Sequence, residues 1–68
     1  MRTEVTSSHM RAVDYDEIEK TLDIEFNNGV IYRYVGVPKD QVDALLIAPS
    51  KGEYFASAIK KAYPFKKL

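Results

Sequence analysis

The chain has 68 residues, 46% of them hydrophobic, 12% aromatic and 29% charged, with ten basic and ten acidic side chains balancing to no net charge and no cysteine. That composition makes one small domain spanning residues 1–68; it excludes a disulfide framework, a thiolate metal site and a cysteine nucleophile. No apolar stretch reaches the roughly 18 residues of a membrane span, and Met1-Arg2-Thr3-Glu4 lacks the apolar run of a signal peptide, so the expectation is a soluble cytoplasmic protein.

Along the chain, Met10 to Tyr15 is the first β-rich segment. Its apolar residues Met10, Ala12, Val13 and Tyr15 break the two-residue alternation of a strand, which predicts a bulge. Asp16-Glu17-Ile18-Glu19-Lys20 is a turn, and Thr21 to Phe26 then alternates polar and apolar residues without interruption. After Asn27-Asn28-Gly29 comes a second β-rich run, Val30 to Val35, so the two form a hairpin. Charge fixes its register. A two-residue Asn28-Gly29 turn would place Arg33 on the face of Ile24, whereas a three-residue loop with Gly29 in the left-handed conformation pairs Ile24 with Tyr32, Leu22 with Tyr34 and Asp23 with Arg33. The second arrangement gathers the large apolar residues on one face and is the one expected.

Pro38 suits the first position of a helix, with Asp40 in its first turn and Val42, Leu45 and Leu46 as an apolar stripe ending near Ala48, before Pro49. Ser50-Lys51-Gly52-Glu53 fits a capping box that opens a second helix. There Phe55, Ala58, Ile59 and Ala62 share one side, Lys60 and Lys61 point away, and Pro64 ends the helix. The fold class predicted is α+β, in the order βββαα: a three-stranded antiparallel sheet with two short C-terminal helices packed on one face.

Little in this chain supports catalysis. His9 is the single histidine, so no metal site assembles from it, and Asp14, Asp16, Glu17 and Glu19 lack the positional pattern of a calcium loop. Ser8 adjoins His9, but neighbours along a strand point to opposite faces. The glycines Gly29, Gly36 and Gly52 stand too far apart to cradle a phosphate. The expectation is a protein without enzymatic activity, cofactor or metal.

Charge is unevenly spread. Residues 1–50 hold five basic and nine acidic side chains, while residues 51–68 hold Lys51, Lys60, Lys61, Lys66 and Lys67 against Glu53 alone. Tyr54, Phe55, Tyr63 and Phe65 are interleaved with those lysines, a mixture that suits a nucleic-acid backbone and its bases, although a solvated helix over an aromatic core gives the same pattern. Ser50, Lys51 and Gly52 form a candidate anion cradle at the second helix start, or simply its cap. Tyr32 and Tyr34 are packing residues of the inner sheet face; alternatively their rims join Tyr54 beside Lys51 in a ligand groove.

The run Val5-x-Ser7-Ser8-x-Met10, Val13-x-Tyr15-Asp16, Leu22-x-Ile24-x-Phe26-x-Asn28-Gly29, Tyr32-Arg33-Tyr34, Gly36-Val37-Pro38 and Pro49-Ser50-Lys51-Gly52-x-Tyr54-Phe55 resembles the KTSC domain over about residues 5–64. That family is named for a module at the C-terminus of some lysyl-tRNA synthetases and also occurs as short bacterial and phage proteins. Where its pattern usually carries an Ile-Arg pair, this chain has Ile59-Lys60, which keeps the charge without the planar fork. Through the synthetase context the resemblance implies RNA binding. Two functions follow for testing. One is an RNA-binding module using Lys51, Lys60, Lys61, Lys66 and Lys67 for phosphates and Tyr32, Tyr34 and Tyr54 for stacking or sugar contacts. The other is a protein-interaction module that presents the outer sheet face or an unpaired strand edge through Ile31 and Val35. Neither involves a membrane.

Overall fold

A computed structural model describes residues 2–5 and 9–68. The serine pair Ser7-Ser8 therefore lies outside the described residues, and with it the Ser8–His9 neighbourhood considered above. The elements are β1 (Arg2–Glu4), β2 (Met10–Asp16), β3 (Thr21–Phe26), β4 (Ile31–Val35), α1 (Lys39–Ile47), α2 (Lys51–Tyr54) and β5 (Phe65–Lys67), with a π-helical turn at Phe55–Ile59 continuing α2. The strands form one antiparallel sheet in the order β1-β2-β3-β4-β5, five strands rather than the three expected. Both additions are three-residue edge strands, too short to show alternation in the sequence.

The central hairpin has the expected register, with Leu22 opposite Tyr34, Asp23 opposite Arg33 and Ile24 opposite Tyr32. Gly29 has φ +88°, the left-handed conformation that its loop requires. The loop is tied by Gly29 N–H donating to the Phe26 carbonyl at 2.9 Å and Val30 N–H donating to Asn28 Oδ1 at 3.0 Å. The pairing of β2 with β3 shifts between Met10 and Ala12, which is the bulge. In the β2–β3 turn Asp16 Oδ1 accepts from the backbone of Ile18 and Glu19. The Lys20 carbonyl accepts from both Gly36 and Val37 at 2.9 Å, fixing the exit of β4 towards α1.

Alternation then divides the sheet into two unlike faces. The inner face carries Val13, Tyr15, Leu22, Ile24 and Tyr34 into a core closed by Val37, Val42, Leu45, Phe55 and Ile59. On the outer face Arg33 makes a bidentate pair with Asp23 at 2.8 and 2.9 Å, and Arg11 and Arg2 both reach Glu25. Hydrogen bonding from Arg2, more than any other influence, holds the Glu25 carboxyl below the usual glutamate range. The β4 edge proposed for Ile31 and Val35 is not open: β5 pairs along it, with Tyr32 opposite Lys67, Arg33 opposite Lys66 and Tyr34 opposite Phe65.

Two helix details differ from expectation. Pro38 is the residue before α1, with extended backbone at φ −74° and ψ 157°, so its fixed φ serves the entry to the helix and not its first turn. The second helix is α-helical only to Tyr54. Its Phe55 and Ile59 are buried as expected, but the wider turn leaves Ala62 exposed.

Candidate functional site: an aromatic groove

Five aromatic rings gather at the end of the inner face where the β3–β4 hairpin, the π-helical turn and β5 meet. Phe26 meets Tyr32 and Phe55 edge-on at 5.7 Å, and Tyr34 meets Phe55 at 5.3 Å. Phe65 lies 5.4 Å from both Tyr32 and Tyr34. Phe55 and Tyr34 are buried, Tyr32 and Phe26 partly so, and Phe65 is 55% exposed, so the cluster grades from core to surface. Burial, with a smaller effect from Tyr32, raises the Tyr34 phenol above its ordinary pKa and keeps it neutral.

Where the rings reach the surface they wall an open groove of about 510 Å³, which is also lined by His9, Asn27, Asn28, Val30 and Lys60. Lys60 is there because of the π-helical turn. Five residues on in an α-helix, a side chain is rotated about 140° from where it started. The i→i+5 closure, in which Lys60 N–H donates to the Phe55 carbonyl at 2.9 Å, brings Lys60 back over Phe55. The lysine expected to point away thus stands at the rim of the aromatic groove. Lys67 flanks it on the next strand, paired across from Tyr32.

Of the residues singled out in the sequence, Tyr32, Tyr34, Phe55, Lys60 and Phe65 line the groove and Lys67 stands beside it across from Tyr32, while Ser50, Lys51, Gly52, Tyr54, Lys61 and Lys66 are not among the lining residues. Tyr54 is absent from the groove; its hydroxyl donates to Gln41 Oε1 at 2.8 Å and ties α2 to α1. At the α2 start Ser50 Oγ accepts from Glu53 N–H at 3.4 Å and the Lys51 ammonium donates to the Ala48 carbonyl at 3.4 Å, so Ser50, Lys51 and Gly52 sit where the chain closes its own helix start. Lys61 is exposed in the turn after Lys60, and Lys66 lies opposite Arg33, with the outer face of the sheet. Phe55 and Phe65, singled out as aromatics interleaved with the C-terminal lysines, do line the groove, whereas Asn28 and His9 were not expected there. Only the Asn-Asn-Gly loop gave a signal, and it was read as turn chemistry alone.

No group of acidic or histidine side chains among the described residues is placed to hold a metal ion. No helix among them is long and apolar enough to cross a membrane.

Comparison with known proteins gives a consistent result. The KTSC domain family matches residues 6–63. An uncharacterised protein from Stutzerimonas stutzeri is 41% identical over 59 residues, covering 87% of this chain and 83% of that protein. A lysine–tRNA ligase from Nostoc sp. is 39% identical over 61 residues, which are 90% of this chain but only 11% of the ligase. Among solved structures, a KTSC domain protein from Yersinia pestis superposes with a TM-score of 0.93 at 33% identity, over 100% of this chain and 96% of that one.

Proposed function

The chain belongs to the KTSC domain family, and from that premise we propose that it is a non-enzymatic module that binds single-stranded RNA in the aromatic groove. The observation that carries the proposal is the groove's make-up. Tyr32, Phe26 and Phe65 share the lining with Lys60, and no carboxylate is among the lining residues. Stacking on aromatic rings is tolerant of sequence, and a lysine next to the stack suits the phosphate that follows a base. The similarity to a segment of a lysine–tRNA ligase supports the same reading, since that protein's name makes tRNA its substrate.

In this reading Lys60, Lys61 and Lys67 contact phosphates, while Lys51, engaged with the Ala48 carbonyl, and Lys66, opposite Arg33, contribute little. Three contacts give a salt slope of about −2 for a single strand, so affinity falls roughly twentyfold between about 50 and 200 mM salt. Titration of a fluorescent single-stranded RNA across that range tests it. Absence of binding at low salt up to about 100 μM, the weak end of ordinary non-specific affinities, overturns it.

A further inference from the structure

We propose that β1 is a self-pairing edge, along which a second copy of this chain adds its own β1 antiparallel and continues the sheet. The proposal does not depend on the RNA reading. The sheet ends in two edge strands, β1 and β5, and the hydrogen bonds already made fix which backbone groups each turns outward. Val5 N–H donates to the Arg11 carbonyl at 3.0 Å and Thr3 is paired with Val13. By the alternation of an antiparallel ladder, Thr3 therefore turns its N–H and C=O toward β2, and Arg2 and Glu4 turn theirs outward.

A strand pairing with its own copy must set outward residues against outward residues, which leaves β1 three registers. Two of them place Arg2 opposite Arg2 or Glu4 opposite Glu4. The third, about a two-fold axis at Thr3, places Arg2 opposite Glu4 twice, so it alone joins unlike charges. In that register each Arg2–Glu4 pair exchanges both backbone hydrogen bonds, and Thr3 meets Thr3 on the other face. Arg2 bonds Glu25 through one nitrogen, and its guanidinium keeps further N–H donors for the second copy's Glu4. The opposite edge is built the other way. Leu68 N–H donates to the Ile31 carbonyl and Val35 N–H donates to the Pro64 carbonyl, so Phe65 and Lys67 face outward, and the matching register sets Lys66 against Lys66.

A strand of three residues buries much less than the roughly 1,200 Å² of a stable interface, so the dimer is weak, with a dissociation constant of about 0.1–1 mM at low salt. Sedimentation equilibrium from about 10 μM to 2 mM should show the mass rising from monomer toward dimer. Glu4→Arg sets arginine against arginine and should weaken association about tenfold or more. Glu4→Pro removes an outward N–H that β2 does not use, so it should weaken association while the melting temperature is kept. Glu4→Asp retains the charge pair and the dimer, and Lys66→Ala, on the other edge, leaves association unchanged. A monomer at every concentration overturns the proposal. Association that survives both Glu4→Arg and Glu4→Pro runs through another surface and overturns it equally.

Discussion

The two faces of the sheet are made by alternate residues of the same strands, yet they handle charge and aromatic surface in opposite ways. Outside, arginines meet carboxylates: Arg33 is held by Asp23 in a bidentate pair, and Arg2 and Arg11 share Glu25. Inside, rings pack edge to face from Phe55 out to the half-exposed Phe65, and the lysine at the rim shares the groove with no acidic residue. The difference teaches where a ligand can gain most. An anion approaching the outer face competes with carboxylates already in contact, whereas one approaching the groove meets a cation whose counter-charge is solvent and a stack whose last ring is uncovered. A net charge of zero conceals this division, because it sums two surfaces of different character.

The largest break in the comparison comes from the inner face. Phe55 is 6% exposed and touches the rings of both Phe26 and Tyr34, so Phe55→Ala should cost about 3–5 kcal/mol. In a domain this size the total stability is only about 3–10 kcal/mol, and chemical denaturation should show the variant unfolded or nearly so. Arg33→Ala, which removes the best-aligned pair of the outer face, should move the midpoint by a small fraction of that amount.

Next comes Tyr15, whose hydroxyl donates to the Val37 carbonyl at 2.6 Å in the interior. Tyr15→Phe leaves that carbonyl without its partner and should cost about 1–3 kcal/mol. Burial, aided by the Glu17 carboxylate, raises the Tyr15 phenol above its ordinary pKa. An unfolded tyrosine ionises near pH 10 while the folded one keeps its proton, so stability should hold below about pH 10 and decline above it. Tyr34 contributes to the same alkaline decline, and Tyr15→Phe should flatten part of it. The outer face fails at the opposite end. Glu25 is held below the usual range, so its contribution is present above about pH 4 and is lost as pH falls through the folded value. Denaturation midpoints measured against pH would separate the two faces.

How much of this was legible from the sequence depended on whether a residue's place was decided locally. The hairpin register was readable because a one-residue slip would have buried Arg33, and the β2 bulge was readable because Ala12-Val13 breaks an alternation. The β1 and β5 strands were not, since Arg2-Thr3-Glu4 and Phe65-Lys66-Lys67 carry almost no apolar signal and become strands by pairing with a sheet that already exists. The π-helical turn was hidden for a different reason: Phe55 and Ile59 at i and i+4 fit an α-helix equally well, and the wider closure is visible only in where Lys60 ends up. Of the groove, Tyr32, Tyr34 and Lys60 came from the strand pattern and the charge count. Phe65 was named among the aromatics beside the lysines, but its place against Tyr32 and Tyr34 comes from the pairing of β5, and Asn28 joins only because the hairpin loop arrives from a distant part of the chain.

The smallest effect sharpens the comparison most, because it sets two adjacent lysines of one strand against each other. Successive strand residues face opposite sides, and the register places Lys67 across from Tyr32, on the groove side, and Lys66 across from Arg33, on the outer side. Both are exposed and on an edge strand, so replacing either by alanine should leave stability within about 0.5 kcal/mol. If RNA lies along the groove, Lys67→Ala should reduce the salt slope by about 0.7 and weaken binding roughly fourfold at about 0.15 M salt, the contribution of one phosphate contact. Lys66→Ala should change neither, since the Arg33 beside it is already paired with Asp23 and the strand that follows the rings does not pass over that face. Parallel salt titrations of the two variants measure this directly. Equal losses would mean that the basic end of the chain attracts RNA as a diffuse cloud of charge, without regard to face, and the division drawn between the two surfaces would then have no part in binding.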